Sequence, residues 1–292
     1  MKSALAPARS AWLVVLLTLA AAMLLPASPA SAAIPGLQRV VTTSPSNSTG
    51  DPKAASATCP VGKNVIGMGG YVTGGNGQVM LTELLPDAMS TKVRAVAYED
   101  ASGYDGDWSV TAVAVCADPP PGLQRVSTQS PGDSDAKEWT VTCPNGKKIL
   151  GIGGRLNGFE GRILLDALQP FGGVSGQLHA SEDAAGLSGN WSVTVVAMCA
   201  DPLPGLVTPA NWSAGDSSAP KSVDAVCPTG TVAISAGGLI ASGVGEHGRN
   251  KVVIGRLDLP AALDRGTAGA AETEAGAPFS WHVVAVPQCA KA

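Results

Sequence analysis

Acidic and aromatic side chains crowd one short segment, YEDASGYDGDW, which runs from Tyr98 to Trp108. Its acceptors and rings suit sugar hydroxyls, and its carboxylates could hold Ca²⁺ through oxygen ligands. A related segment ends at Trp191. We expect a partly exposed ring beside acceptors in both places. The candidate ligand-binding residues are Glu99, Asp100, Tyr104, Asp107, Trp108, Glu182, Asp183, Asn190 and Trp191.

Other chemistries compete for the same residue types. The second segment has the neutral residues Ser188 and Asn190 where the first has aspartates, so a solvated acidic turn is a better interpretation than a Ca²⁺ site. Zinc is disfavoured because the chain has no Cys-x-x-Cys pair and few histidines. Ser-His-Asp catalysis is disfavoured because the histidines do not recur at equivalent places. They are His179, His247 and His282. We expect no metal, no cofactor and no enzyme activity.

The elements that must position these residues occur three times. CPVGKNVIGMGG from Cys59, CPNGKKILGIGG from Cys143 and CPTGTVAISAGG from Cys227 align without a gap, and a Trp-to-Cys segment closes each unit. Self-similarity at a fixed period indicates homologous structural repeats. The predicted repeats span residues 36–121, 122–204 and 205–292, and the third is the divergent copy.

Each repeat holds two cysteines. Six cysteines allow 15 pairings, but one bridge inside each repeat is the pairing that all three copies can share. Closing a loop of this length would contribute roughly 4 kcal/mol per bridge in the chain-entropy model. The predicted disulfides are Cys59–Cys116, Cys143–Cys199 and Cys227–Cys289.

The closing segment of each repeat is predicted to be a core strand. WSVTVVAMC, residues 191–199, is rich in β-branched residues. Side chains alternate faces in a strand, so Trp191 and Cys199 share the inward face while Ser192 points outward. The Gly-x-Gly-Gly of an earlier strand would leave space for the indole, because strand glycines mark close approach of another group.

About six short strands per repeat predict an all-β protein. In the second repeat they fall near LQRVST, WTVTC, KILGIGGRL, RILLDAL, QLHASED and WSVTVVAMC. In the third, the alanine-rich residues 261–275 are predicted to be an extended loop, and Pro287 breaks the closing strand. The repeats form either separate sandwich-like units or one pseudo-threefold, prism-like body.

A lysine and a glutamate also recur in register. The lysine lies six residues before the first cysteine of each repeat, and the glutamate nine residues before its tryptophan. An ion pair between them would contribute only about 0–1 kcal/mol at the surface. The predicted pairs are Lys53–Glu99, Lys137–Glu182 and Lys221–Glu272.

The first 32 residues have the layout of a secretory signal peptide. Lys2 and Arg9 precede an apolar run, and Ala30-Ser31-Ala32 suits a signal peptidase. Removing this segment takes away two positive and no negative charges, so the formal charge changes from −4 to −6. An acidic chain without a basic block is a poor candidate for nucleic acid. We expect a secreted extracellular protein without membrane insertion.

The pattern Cys-Pro-x-Gly, Gly-Gly and Trp-x-Val ending in Cys-Ala resembles secreted triple-repeat proteins of actinobacteria, a group without an established activity. The resemblance covers most of residues 36–290. The Cys-Pro-x-Gly corner and the threefold repeat are also similar to the vitelline membrane outer layer protein family. That resemblance implies a β-prism and a carbohydrate role, although the repeats of that family are shorter.

These features favour a multivalent, non-catalytic binding protein, because linked copies of a weak site gain avidity. Extracellular polysaccharide or cell wall is the favoured ligand. The alternative is a cell-surface structural protein or a protein inhibitor that grips a surface protein through strand edges or loops such as residues 240–250. The oligomeric state is left open.

Overall fold

The computed structural model describes residues 34–158, 161–242 and 250–292. The first repeat contributes β1 (Gln38–Thr43), β2 (Lys53–Thr58), β3 (Asn64–Thr73), β4 (Val79–Pro86), β5 (Lys92–Glu99) and β6 (Ser109–Ala117). The second contributes β7 (Gln124–Gln129), β8 (Lys137–Thr142), β9 (Lys148–Asn157), β10 (Ile163–Phe171), β11 (Ser175–Glu182) and β12 (Ser192–Ala200). The third contributes β13 (Asn211–Trp212), β14 (Lys221–Val226), β15 (Thr231–Ser235), β16 (Gly238–Ser242), β17 (Val252–Asp258), β18 (Arg265–Glu272), β19 (Trp281–Ala285) and β20 (Gln288–Lys291). The predicted all-β class is confirmed.

Every large sheet is shared by two repeats. Sheet I has the order β1-β6-β3-β17-β18-β14, sheet II β2-β5-β4-β9-β12-β7, and sheet III β13-β19-β16-β10-β11-β8. Each therefore joins three strands of one repeat to three of another, and β15 with β20 forms a small fourth sheet. Residues 33–292 form one compact unit, so the single body describes the protein and separate sandwich-like units do not.

The three junctions between repeats are short and equivalent. Sheet I is joined by β3 and β17, sheet II by β4 and β9, and sheet III by β10 and β16, with two residue pairs at each junction. The first pair of each junction differs in chemistry: Glu83 faces Arg155, Ala167 faces Leu239, and Arg256 faces Tyr71. The second pair is the same at every junction, a leucine facing a glycine: Leu84 and Gly154, Leu168 and Gly238, Leu257 and Gly70.

The Gly-x-Gly-Gly segments lie where the backbones of different repeats meet. A Cβ on Gly67 would overlap the carbonyl oxygen of Ile234, and one on Gly151 would lie 2.6 Å from the Cα of Gly67. A Cβ on Gly69 would lie 2.6 Å from Leu257 O. The prediction that these glycines make room for the indole is therefore wrong. At the first two glycines of each motif, glycine is needed because main chain from another repeat occupies the space that a side chain would fill. The last glycine, Gly70 or Gly154, instead faces side chains of its own repeat.

The closing strands are buried on both faces. Trp108, Trp191 and Trp281 are 0–2% exposed and belong to the main hydrophobic core, as predicted. Ser109 and Ser192, predicted to point outward, are also buried. Neighbouring side chains cover this second face: for example, Ser192 Oγ accepts hydrogen bonds from Gln129 and Asn157.

The three predicted disulfides are present, each within one repeat, and they join Cys59 to Cys116, Cys143 to Cys199 and Cys227 to Cys289. Disulfides are typical of an oxidising compartment such as the extracellular space. The predicted signal peptide, residues 1–32, lies outside the described residues. Nowhere in the described ranges does a helix have the length and apolar character needed to cross a bilayer.

The third repeat departs from sequence expectation in one segment. Residues 261–275, predicted to be a loop, contain the strand β18. Its alternate alanines are buried between β14 and β17, so small side chains here serve close packing. The closing strand is split into β19 and β20 at Val286 and Pro287, as predicted from the missing N–H of proline.

Candidate functional site

Each buried indole donates a hydrogen bond to the recurring glutamate. Trp108 Nε1 lies 2.7 Å from Glu99 Oε1, and the corresponding distances are 3.0 Å for Trp191 to Glu182 and 3.1 Å for Trp281 to Glu272. The predicted partly exposed rings are therefore wrong for Trp108 and Trp191. Burying the indole with its N–H satisfied gains apolar contact without the penalty of an unpaired donor.

The recurring lysine lies over the face of the same indole. The distance from Nζ to the ring centroid is 4.1 Å for Lys53, 4.1 Å for Lys137 and 4.5 Å for Lys221. These are cation–π contacts of largely buried lysines. Among the described ion pairs none joins this lysine to the glutamate, so the predicted direct pairs Lys53–Glu99, Lys137–Glu182 and Lys221–Glu272 are wrong.

The lysines differ in their anionic partner. Lys137 binds Asp133 and Lys221 binds Asp216, and the hydrogen bond from lysine holds the pKa of each aspartate below its usual value. In the first repeat the equivalent residue is Asn47, which offers Lys53 only its backbone oxygen. Burial lowers the pKa of Lys53, although the charge of Glu99 opposes this effect.

The second carboxylate oxygen of each glutamate fixes the loop that follows β5, β11 or β18. Glu99 Oε2 accepts from Tyr104 N at 3.1 Å, Glu182 Oε2 from Leu187 N at 2.6 Å, and Glu272 Oε2 from Ala277 N at 2.9 Å. Each loop begins with a tight turn closed by a glycine N–H, as from Gly103 N to Asp100 O at 3.1 Å. The core tryptophan thereby holds the acidic loop through one side chain.

The three turns line a single depression of about 190 Å³, which we call the three-loop depression. Its lining residues are Met80, Asp100, Ala101, Ser102, Asp183, Ala184, Ala185, Thr273, Glu274 and Ala275. Met80 is 1% exposed and packs with Leu164 and Val253 in a small apolar cluster separate from the main core. These three residues occupy equivalent positions in the three repeats. The depression thus combines an apolar base with an acceptor-rich wall.

The carboxylates of this wall are held in place. Asp100 Oδ1 accepts from the backbone N–H groups of Ser102 and Gly103, both at 3.0 Å. Asp183 forms a two-bond ion pair with Arg162, which raises the pKa of that arginine. Glu274 accepts from Ser102 Oγ at 2.7 Å and from Gln78 Nε2 at 2.8 Å, so it links the third repeat to the first.

The structure brings only part of the predicted site together. Asp100 and Asp183 share the three-loop depression, whereas Asp107 and Asn190 are exposed and lie outside its lining. Tyr104 packs against the core. The two segments were expected to form a separate site in each repeat, but their turns contribute to one depression. Because each sheet joins two repeats, the turns after β5, β11 and β18 lie together on one side of the protein.

Several residues of the depression escaped sequence reasoning. Thr273 and Glu274 belong to the third repeat, where the acidic pair of the other copies is altered. Aligning Glu272 with Glu99 and Glu182 would have placed Thr273 and Glu274 on the same turn. The place of Met80 in the depression could not be predicted, because a single methionine in a strand is common in hydrophobic cores.

An exposed aromatic pair also lies on the third repeat. Trp212 is 56% exposed, and its ring meets His282 edge-on with centroids 5.5 Å apart. His282 Nδ1 is 2.8 Å from Ser213 O. The equivalent positions elsewhere carry polar residues, Thr43 with Ser109 and Gln129 with Ser192, and Gln129 Nε2 donates to Ser192 Oγ at 3.0 Å. The aromatic pair is therefore not a requirement of the fold.

The remaining histidines and acids in the described ranges include one partly buried His–Asp pair. His179 Nδ1 lies 3.0 Å from the buried Asp166, but the nearby Ser181 hydroxyl has no hydrogen-bond partner there. His247 lies outside the described residues. No group of three or more His, Cys, Asp or Glu side chains within residues 34–158, 161–242 and 250–292 is placed to hold a metal ion.

Comparison with known proteins adds no relative to this description. No protein-family model matches the chain, and no curated protein sequence matches it significantly.

Proposed function

We propose that this protein is a secreted, non-catalytic binding protein that holds a carbohydrate residue in the three-loop depression. The proposal depends on one observation: equivalent turns of all three repeats converge on one small concave surface. Sites for small molecules are concave, with an apolar lining and a few placed polar groups. The expected export signal and the three disulfides support an extracellular location.

The polarity of the depression favours a polyhydroxylated ligand. Asp100, Asp183 and Glu274 supply carboxylate oxygens that accept hydrogen bonds, and Ser102 supplies a hydroxyl. The exposed methyl groups of Ala101, Ala184 and Ala275 suit the C–H face of a sugar ring. A volume of about 190 Å³ is smaller than typical drug-sized pockets of roughly 300–1,000 Å³, so one sugar unit fits better than a chain segment.

The loops are rigid enough to bind without large reordering. The Trp–Glu hydrogen bonds connect each turn to the core, and a preorganised site loses less conformational entropy when a ligand binds. The repeated tryptophans therefore support binding through the glutamates, and the rings themselves stay buried.

A glycan array and pull-down on cell-wall polysaccharides, followed by calorimetry on any ligand found, would test the proposal. Ala184→Trp places a bulky ring in the depression from an exposed position, and Ala88→Trp makes the same change on an exposed turn elsewhere. We expect the first variant to lose binding by about tenfold or more and the second to bind like the wild type.

Equal sugar binding by Ala184→Trp and the wild type would place the site elsewhere. Retention of a protein partner with no polysaccharide would contradict the carbohydrate proposal. It would favour the structural or inhibitory alternative, in which strand edges or the 240–250 loop, largely outside the described residues, bind another protein.

A further inference from the structure

A groove of about 280 Å³ lies beside the junction of the first and third repeats in sheet I. Residues of both repeats line it, among them Val72, Val79, Lys221, Val253, Gly255 and Arg256. We call it the sheet I groove. It lies next to the bulge at Gly255, between Ile254 and Arg256 of β17.

Comparison of the three repeats shows why the groove is open. The bulge position and two positions on the neighbouring strand carry Thr82, Val96 and Tyr98 in the first repeat, and Asp166, His179 and Ser181 in the second. In the third repeat they are Gly255, Gly269 and Ala271. The first-repeat counterpart is a cavity of only about 80 Å³. The absence of a side chain at Gly255 leaves the larger space, whereas the aliphatic part of Arg256 covers Gly269.

Gly255 has no conformational or steric need to be glycine. Its φ is not in the left-handed region, and a Cβ would meet no atom within 4 Å. A glycine inside a strand is less stable than alanine, because it loses more conformational freedom on folding. Neither the backbone conformation nor the packing requires glycine at position 255. The effect of this glycine is to leave the groove open.

The groove offers aliphatic walls and one positioned cation. Val72 supplies accessible apolar surface, and the buried side chains of Val79 and Val253 lie behind it. The Arg256 guanidinium lies 4.2 Å from the centroid of the Tyr71 ring. This cation–π contact fixes the position of the guanidinium group. Lys221 also lines the groove, but Asp216 and Trp281 O already engage its ammonium group.

A positive charge remains at this end of the groove. Arg256 donates to Asp258 at 3.0 Å, and Asp258 also pairs with Arg39 at 3.7 Å. One carboxylate therefore faces two guanidinium groups. No acidic residue lines the groove within the described ranges. Arginine has five N–H donors in a planar fork that matches a carboxylate.

We infer that the sheet I groove binds a small carboxylate with an apolar body, whose anionic end contacts Arg256 and whose apolar part lies over Gly255. This site is separate from the three-loop depression and does not depend on it. Its volume, near the lower limit for small-molecule sites, fits a single short acyl group better than a polymer.

Titration of the ¹⁵N-labelled mature protein with hexanoate, and with hexan-1-ol as the neutral match, would test this inference. We expect hexanoate to shift the amide signals of Gly255 and Gly269 saturably. The alcohol should bind about tenfold more weakly or worse, because it lacks the charge-assisted hydrogen bonds to Arg256.

Gly255→Thr restores the side chain of the first repeat and should abolish hexanoate binding while Tm stays equal or rises. Gly132→Ala is the control, since its Cβ would also meet open space, but outside the groove. Arg256→Gln should reduce hexanoate affinity to that of the alcohol. Absence of saturable shifts in the wild type, or undiminished binding by a folded Gly255→Thr protein, would overturn the inference.

Discussion

At the residue scale, each repeat contains one unit of three side chains: a lysine over the indole face, the buried tryptophan, and a glutamate at the indole N–H. In the first repeat these are Lys53, Trp108 and Glu99. The glutamate also binds a loop amide. The unit therefore connects the hydrophobic core to the surface turn that lines the three-loop depression.

Removal of a core indole should be far more damaging than removal of the exposed one. Trp191→Ala should lower the free energy of unfolding by about 3–5 kcal/mol, because the ring is 2% exposed and its loss leaves a cavity. Trp212→Ala is the matched control and should cost about 1 kcal/mol or less. Urea denaturation of both variants measures the difference. Equal stability of Trp191→Ala and the wild type would contradict the core assignment.

Asn47→Asp should stabilise the protein only where the new carboxylate is ionised. The aspartates at the equivalent positions, Asp133 and Asp216, have lowered pKa values because of their lysines. A carboxylate with a lowered folded pKa contributes above its unfolded pKa of about 3.9, and the contribution is lost as the pH falls through the folded value. We therefore expect a higher Tm than the wild type near pH 7 and a clearly smaller gain near pH 3, below the unfolded pKa.

An exposed asparagine provides the control for that change. Asn145→Asp adds the same charge on a turn of the second repeat, away from a buried lysine. It should leave Tm almost unchanged at both pH values. A pH-independent gain from Asn47→Asp would show that the effect does not come from pairing with Lys53.

At the element scale, the glycine-rich strands β3 and β9 and the segment from β15 to β16 are where the repeats touch. The same register shift recurs in all three, at Ile66, Leu150 and Ile234, next to the closing strands. These three residues are fully buried. Bulges bend a strand locally, and here each bulge lies directly before the position where Gly67 or Gly151 meets another repeat.

Gly67→Ala should destabilise the protein strongly, because the added methyl group would overlap the backbone of Ile234. Backbone cannot move aside as a flexible side chain can, so we expect a loss of about 3 kcal/mol or more. Thermal and urea unfolding of Gly67→Ala and of the control Gly132→Ala, whose Cβ meets nothing within 4 Å, provide the measurement. A Gly67→Ala protein with unchanged stability would mean that the repeats are not closely packed at this point.

At the scale of the whole molecule, no repeat by itself forms a complete six-stranded sheet. The second repeat supplies β9, β12 and β7 to sheet II and β10, β11 and β8 to sheet III. Each half ends at a junction strand that must pair with another repeat. Shared sheets and a common core should make unfolding of residues 33–292 a single cooperative event.

The second repeat expressed alone, residues 122–204 with its disulfide intact, should therefore not fold. Alone it would expose the edges of β9 and β10. It would also expose the glycines of β9 that the first repeat covers in the full chain. We expect a poorly dispersed amide spectrum for the fragment and one calorimetric transition for the mature chain. A folded, monomeric fragment would indicate that each repeat is an independent domain.

The sequence by itself determined the local features of this protein. β-branched runs between turn residues predicted the six strands of the second repeat, and the repeat pattern predicted the pairs of Cys59, Cys143 and Cys227. These features depend on nearby residues or on comparison of equivalent copies. Alternation also predicted that Trp191 is buried, because strand geometry sets which side chains share a face.

The tertiary structure alone decided how the copies combine. Pairing of β4 with β9 is a contact between repeats that no periodicity encodes, because strand pairing depends on distant backbone and side-chain packing. Pairing between repeats in the three sheets brings Asp100, Asp183 and Glu274 together in one depression. The indole rings stay buried, and their N–H groups bond to the glutamates. The tertiary structure also assigned the Gly-x-Gly-Gly segments to contact between repeats, since a glycine's role depends on what lies beside it.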